Sequence, residues 1–516
     1  MALDGSIGFG TIALLVLCLG VALGFEFVNG FHDTANAVAT VIYTKSLKPN
    51  HAVLWSGMMN FLGVFTGTVI GGATVAFGIV HLLPVDLVIH AGQSVGLLMI
   101  LSLLISAVIW NVTTWYFGLP ASSSHSLIGA ILGVGVTSSL LAGRGFANGI
   151  NWAQAEKAGL ALLVSPLVGF CGAGLLLLLA RAVIKDRRLY DEPHGDTPPP
   201  AWIRGLLVLT CTLVSFFHGS NDGQKGVGLI MLILIGILPT QFAVNSAMEG
   251  ETLRTTAAAT QRIEATVEKA GASAPAGLAT RLKTIGQILT STDRLGSLPD
   301  VQRTGLRNDI LQTNADLDKW VKADGNPLSS DDKAALKKDR GVMTHVTDFV
   351  VPWVPLAVAL ALGIGTTIGW KRIVVTVGEK IGKTHLTYAQ GACAEMIAAL
   401  TIYLADSLGL PVSTTHVLSS GVAGTMAANR SGLQGATVRN IAAAWVFTLP
   451  ATGTMAGVLF YMTAGNQIRA QQAAPTAQNI PAPTAAPAAV RVALATQRIE
   501  GKPGGQPKWA PIGPHK

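Results

Sequence analysis

The chain reads as an all-α, polytopic membrane protein, and three observations predict it. Half of the 516 residues are apolar and only 12% are charged, against about 25% in ordinary soluble domains. About ten apolar stretches approach or exceed the ~20 residues that a spanning helix needs: residues 7–43, 52–80, 95–117, 119–141, 157–183, 204–240, 350–369, 386–409, 411–429 and 438–461. The charges are also segregated. Residues 241–349 hold 14 basic and 14 acidic side chains, so the net +8 belongs to the remaining, sparsely charged chain. This balance argues against a cytosolic enzyme, and nucleic acid is not an expected partner because no Lys/Arg-rich run is interleaved with aromatics. The partner it does imply is a lipid bilayer.

Taken in order, residues 1–184 form a first membrane repeat. Asp4 and the lack of basic residues before the first apolar run indicate a retained span rather than a cleaved signal peptide. The runs 7–43 and 204–240 are too long for simple rods and are interrupted by polar clusters, where broken helices are expected; irregular backbone at membrane depth needs protein or a wet cavity around it. Residues 185–203, with Pro193, Pro198, Pro199 and Pro200, are a linker, and 204–240 begin a second membrane repeat. Residues 241–349 are a soluble insert with helical patterns at 260–269, 298–322 and 331–340. Residues 350–462 complete the second repeat, and 463–516 are an Ala/Pro/Gln-rich tail too polar and irregular to bury a core. Positive-inside counting places Lys45, Lys48, Arg181, Lys371, Arg372, Lys380 and Arg430 in the cytoplasm, and both termini and the insert outside.

The strongest organisational signal is an internal repeat. Asn29–Val38 aligns with His218–Val227 at an offset of 189, matching Gly30 to Gly219 and Asp33 to Asp222. Gly118–His125 (GLPASSSH) aligns with Gly409–His416 (GLPVSTTH) at an offset of 291. The two offsets differ by nearly the length of the charged insert, so one insertion in the second half explains both. Five spans per half make the copies inverted in the membrane, an architecture that places substrate near the midplane between broken helices and works by alternating access.

In the Gly-Leu-Pro segments, Gly and Pro stop one helix and the next begins after them. Ser122, Ser123 and Ser124, and Ser413, Thr414 and Thr415, then lie beside unpaired N–H groups at positive helix ends, a site for a tetrahedral oxyanion. Asp33 and Asp222 carry the opposite sign. Carboxylates at membrane depth mark function by default, so these two, with Asn36 and Asn221, are read as cation-handling groups, and His32, His218, His125 and His416 as proton-accepting ones. Lys225 stands where the first repeat has Asn36; it either pairs with Asp222 or holds the anion. Glu395 is expected to face the cavity of His416, and Glu26 to lie near a helix break. Cys18, Cys171, Cys211 and Cys393 all lie in apolar stretches and are read as buried hydrophobes, not as disulfides or ligands of a structural metal. No Walker loop, GxSxG elbow or HExxH occurs, so neither a cofactor nor enzymatic activity is expected.

Asn29–Thr44 (NGFHDTANAVATVIYT), Trp115–Ala130 (WYFGLPASSSHSLIGA), His218–Gly228 (HGSNDGQKGVG) and Leu410–Ser420 (LPVSTTHVLSS) resemble the PiT family of inorganic phosphate transporters, in particular its bacterial low-affinity branch. The resemblance covers residues ~1–240 and ~350–462. It implies symport of inorganic phosphate in the inner membrane, driven in bacterial members by H⁺, with phosphate carried as a neutral complex with Mg²⁺ or another divalent metal. It places the family's paired signatures on His32, Asp33 and Asn36 and on Asn221, Asp222 and Lys225, and its paired hairpins on Ser122–His125 and Ser413–His416. Sodium-coupled members have Asn-Asp at both signatures. Here His32 and Lys225 depart from that pattern, as does Asn60, where animal members carry an acidic residue, whereas Glu395 matches their other one. These departures favour H⁺ over Na⁺. Coupling to Na⁺, transport of sulfate, and a channel or sensor role are the alternatives. A second copy of the chain, forming a homodimer, completes the expected partners.

Overall fold

The computed structural model describes residues 9–83, 93–193, 195, 197–323 and 326–473. Helices account for nearly all of it. The first half contains α1 (Phe9–Tyr43), α2 (Pro49–Val69), α3 (Thr74–Val80), α4 (Gln93–Tyr116), α5 (Ser123–Leu141) and α6 (Trp152–Val183). The second begins with α7 (Ala201–Ile237) and the single turn α8 (Pro239–Phe242), followed by α9 (Gly250–Ala270), α10 (Leu278–Ser291), α11 (Asp300–Lys322) and α12 (Ser330–Thr344). It ends with α13 (Trp353–Thr366), α14 (Lys371–Glu379), α15 (Tyr388–Ser407), α16 (Thr414–Ala428) and α17 (Gly435–Ala473). Residues 1–468 make one compact unit. Of the second, 469–516, only the end of α17 is described, so most of the expected tail lies outside the described residues, and α17 continues past residue 463.

Among the described residues seven helices are long and apolar enough to cross a bilayer: α1, α2, α4, α5, α6, α7 and α17. The pair α13 and α14, bent by 66°, brings the number to eight. The other apolar stretches became different objects. Residues 52–80 split into α2 and the seven-residue α3 at Gly72 and Ala73, both with positive φ. Helix α16 has only 15 residues, and α15 carries Glu395 and Asp406 within its 20. Outward-facing leucines on α6, such as Leu163, Leu167 and Leu175, form an exposed apolar face of the kind lipid covers. Cys171 lies on this helix and is exposed, contrary to the expectation that all four cysteines are buried.

The polar clusters in α1 and α7 do not break these helices, which is a correction to the sequence reading. Neither contains proline, and their polar side chains find partners on neighbouring elements, so the backbone has no reason to leave the helix. Glycine serves a different purpose there. A β-carbon at Gly30 would collide with the α13 backbone at Leu362, and one at Gly219 with the α2 backbone at Asn60. These are matched positions of the internal repeat. Each lets the first helix of one half cross the second helix of the other half closely, in the manner of small residues in membrane helix packing. The helix breaks fall at the hairpins, between α4 and α5 and between α15 and α16, where Gly118 and Gly409 both have φ of 66°.

Helices α9 to α12 enclose their own apolar core, with Ile263, Leu282, Ile285, Leu306, Ile310 and Met343 at its centre. Helix α10 has no counterpart among the patterns read from the sequence, and α9 begins at Gly250, ahead of the expected start. The Asn245 N–H donates to the Val346 carbonyl at 2.8 Å, and buried Arg307 donates to the carbonyls of Ala243 at 3.0 Å and Thr347 at 3.4 Å. The segment therefore leaves and rejoins the membrane helices at one point. Removing residues 246–345 and closing the gap with a short glycine linker is expected to leave the activity of the membrane helices within about threefold of the full chain, since long insertions cost little to close or omit. Activity assays with matched membrane levels check this.

Within this segment Asp318 accepts from Lys322 at 2.7 Å and Arg340 at 2.9 Å. Burial alone would raise its carboxyl, but these two hydrogen bonds outweigh it and hold it at about 2. A lowered folded-state value contributes stability above the ordinary carboxylate pKa near 3.9 and loses it as pH falls through the folded value. Stability is thus expected to decline from about pH 4 towards pH 2, with part of that slope missing in Asp318→Asn, as read by thermal unfolding at stepped pH.

Candidate functional site

The sequence dictates two hairpins of the same build. Gly118 and Gly409 turn the chain, Pro120 and Pro411 prevent helix, and Ser122 and Ser413 cap the helices that follow, accepting from the N–H of His125 and His416 at 3.2 Å in both cases. The prolines precede the caps, and the serines set the helix starts. Both helix starts, with the positive dipole ends that helix N-termini carry, are buried inside the protein.

What occupies that centre is Asp33 of α1. Ser123 donates to its Oδ2 at 2.6 Å and Thr415 to its Oδ1 at 2.6 Å, one hydroxyl from each hairpin. His32 Nδ1 lies 3.2 Å from Oδ1, and its Nε2 is held by the Thr114 hydroxyl at 3.1 Å. Beside this group Lys225 of α7 donates to Asp222 Oδ1 at 2.6 Å, to Ser124 Oγ at 2.5 Å and to the Val412 carbonyl at 3.1 Å. The Ser124 hydroxyl donates to the same carbonyl at 3.0 Å, so the tip of one hairpin touches the tip of the other. Asn221 grips the second hairpin through its amide, which donates to the Leu410 carbonyl at 3.1 Å. His32, at the matched position, reaches Thr114 instead, so replacing Asn by His at this position has changed which element it holds.

His218 Nε2 lies 3.9 Å from Asp33 and 3.7 Å from Asp222 without a hydrogen bond, and Asp222 Oδ2 likewise has none. One ligand atom each from Asp33, His218 and Asp222 fall within 4.8 Å of one another, a mixed oxygen and nitrogen set able to share a proton or hold a small cation. Asp33, Asp222, Lys225, His32, His218, Asn221, Ser123, Ser124 and Thr415 are all buried, none more than 3% exposed. The site is occluded.

The structure thus gathers Asp33, Asp222, Lys225, His32, His218, Asn221, Ser123, Ser124 and Thr415. Ser122 and Ser413 serve as caps, and Thr414 is buried beside them. The rings of His125 and His416 lie against each other, tilted by 36° with centroids 4.4 Å apart, and His416 stacks on Trp445 at 4.1 Å. Glu395 is buried and accepts from Thr210 on α7 at 2.5 Å. The Asn36 side chain lies outside the described residues. Glu26 sits in unbroken α1 and accepts, at 3.5 Å, from Asn29. Two further residues position the site: Asn60, which the sequence singled out only as a departure from the family pattern, and Trp445, which it did not single out. Asn60 holds His218 Nδ1 at 2.8 Å and donates to Thr366 at 3.0 Å, and Trp445 packs against His416 while donating to the Pro120 carbonyl at 2.9 Å. Nothing near Trp445 in the sequence signals this; Asn60, a polar residue within an apolar run, offered a signal.

A helical bundle with several membrane-spanning helices and a charged, occluded centre between two helix breaks defines a multi-pass membrane protein of the transporter class. The chain belongs to the phosphate transporter family, whose sequence model matches residues 29–456. It is 44% identical over 489 residues to the low-affinity inorganic phosphate transporter PitA of Escherichia coli K12, covering 87% of this chain and 96% of that one. It is 30% identical over 450 residues to a probable low-affinity inorganic phosphate transporter of Bacillus subtilis, covering 87% and 96%. A solved structure described as the sodium-dependent phosphate transporter superposes with a TM-score of 0.53 at 19% identity, covering 87% of this chain and 98% of that one, a similarity of fold.

Proposed function

We propose that the chain is a secondary active symporter that imports inorganic phosphate with protons across the bacterial inner membrane, its two halves alternating access as an inverted repeat. The observation that carries this is the double capture of Asp33 by Ser123 and Thr415. Two helix N-termini with hydroxyls are a phosphate cradle, and here a carboxylate takes the hydroxyls a phosphate would need. Two anions cannot share that buried space without compensation, because an unpaired buried charge costs several kcal/mol. Phosphate therefore displaces Asp33 from the hydroxyls only when positive charge arrives with it. That requirement is the coupling.

The proton is favoured as that charge. Lys225 already fills the position beside Asp222 that a bound alkali cation would take, and His32 and His218 flank Asp33 with imidazole rings, side chains that can carry a proton. A divalent metal such as Mg²⁺ carried with phosphate relieves the same repulsion, since the cargo then enters nearly neutral. The Lys225 ammonium, bonded to Ser124 of the first hairpin and Val412 of the second, supplies a fixed charge to the phosphate oxygens. The names of the relatives agree with phosphate as substrate. Sulfate has the same shape but no titratable proton at neutral pH, so a large excess of it is expected to leave phosphate uptake unchanged.

Radiolabelled phosphate uptake into proteoliposomes, with pH gradient, Na⁺ and Mg²⁺ varied independently, tests the reading. Uphill accumulation under an inward proton gradient without Na⁺, collapsing with a protonophore, is expected. Uptake that needs Na⁺ and ignores the pH gradient contradicts it.

A further inference from the structure

A groove of about 650 Å³ lies away from the occluded centre, between the end of α4 and helix α14. Its basic wall is Lys371, Arg372 and Lys380, its aromatic wall Trp115, Tyr116 and Phe117, and none of its lining residues is acidic. The one carboxylate of α14, Glu379, lines a neighbouring cavity with Tyr43 and His385 instead. Arg372 lies over the rings of Trp115 at 5.2 Å and Tyr116 at 4.8 Å. Phe117 is 69% exposed and Ile368, just ahead of the groove, 50%. Basic side chains thus border an uncovered apolar strip. Helix α14 has the build of an interfacial helix: it bends 66° away from α13, buries Ile373, Val374 and Val377 and exposes its charged residues.

The internal repeat supplies a comparison within the same molecule. In the second hairpin, the turn at Gly409 packs on Thr74 of α3, as the turn at Gly118 packs on Thr376 of α14. Helix α3, Thr74–Val80, contains no Lys or Arg. The basic groove is therefore no part of the duplicated machinery; it was built on one end only. We propose that it is a binding site for an anionic phospholipid, the phosphodiester headgroup held by Lys371, Arg372 and Lys380 and an acyl chain lying along Phe117. A basic pocket at the end of membrane helices has the chemistry for this, and the bordering apolar strip suits a lipid rather than free phosphate. The site reaches the first hairpin directly. Arg372 donates to the Tyr116 carbonyl at 2.8 Å, Thr376 to the Gly118 carbonyl at 2.8 Å and Trp115 to the Gly369 carbonyl at 2.7 Å. A bound lipid steadies the turn four residues ahead of Ser122.

Native mass spectrometry of the purified full-length protein in neutral detergent, titrated with phosphatidylglycerol or phosphatidylcholine, tests this without reference to transport. Lys371→Gln/Lys380→Gln leaves the Arg372 contacts in place and is expected to weaken phosphatidylglycerol retention about thirtyfold, from two basic contacts to an anionic headgroup, with phosphatidylcholine unaffected. Lys371→Arg/Lys380→Arg is expected to restore it, which separates charge from misfolding. Equal phosphatidylglycerol retention by the wild type and the Gln variant overturns the proposal. So does displacement of the lipid by inorganic phosphate at equal concentration, which would make the groove a vestibule for the substrate.

Discussion

Asp33→Asn is expected to abolish concentrative phosphate uptake while the protein still folds and inserts. The substitution keeps shape and removes charge, so Ser123 and Thr415 lose a carboxylate acceptor and gain at best an amide. Two charge-assisted hydrogen bonds at about 1.5 kcal/mol each hold the hydroxyls away from phosphate, so binding is expected to tighten by up to about a hundredfold while uphill transport, which needs the displaced charge, is lost. The charge argument makes a second, more specific statement. With no anion to displace, phosphate no longer needs a compensating cation, so the pH dependence of phosphate binding should flatten even as uphill transport disappears. Initial uptake rates and binding measured between pH 5.5 and 8, at matched membrane levels, read both effects. A variant that still accumulates phosphate in a pH-dependent way would show that Asp33 is a structural acceptor only.

The second large effect is expected from Asp222→Asn. Lys225 would keep Ser124 and the Val412 carbonyl but lose its counter-charge, leaving a buried ammonium without a carboxylate. Truncating one partner of such a pair costs about 2–5 kcal/mol, much of it the penalty on the charge left behind. Transport should fall below detection and thermal stability should drop with it. Asp222→Asn/Lys225→Met removes both charges and is expected to recover most of the stability, because apolar replacement of a buried pair is often close to neutral, but none of the transport. Near-normal uptake by Asp222→Asn would remove Asp222 from the coupling scheme.

The hairpins were the most legible feature in the sequence, because Gly, Pro and a capping Ser act locally and the same string occurs twice. The repeat was legible for a related reason. Gly30 and Gly219 are matched because both crossings need a residue without a side chain, and that steric demand survives in the sequence as identity. The polar clusters of α1 and α7 were legible as important but not as continuous helix. Polar residues in an apolar run look like an interruption until their partners are known, and those partners lie far away: Thr415 is 382 positions from Asp33, and Ser124 is 101 from Lys225. Glu395 shows the limit of spacing along the chain. Its position ahead of His416 suggested a shared cavity, but a helix places residues by rotation as well as distance, and Glu395 faces Thr210 on α7. The contact of His125 with His416 was hidden for the same reason, since spacing along one hairpin carries no information about the distance between two. Helix α10 escaped because a short amphipathic helix in a charged segment makes a weaker pattern than a membrane span does.

The central claim is that phosphate is held by the hairpin hydroxyls that Asp33 otherwise takes. Equilibrium binding of radiolabelled phosphate to the purified protein in the Asp33→Asn background, where no carboxylate competes for the hydroxyls, compared with and without the Ser123→Ala/Thr415→Ala double variant, tests it most directly. Loss of two hydroxyl donors to an anion predicts binding weaker by about a hundredfold. Unchanged affinity in the double variant would contradict the claim and place the phosphate elsewhere.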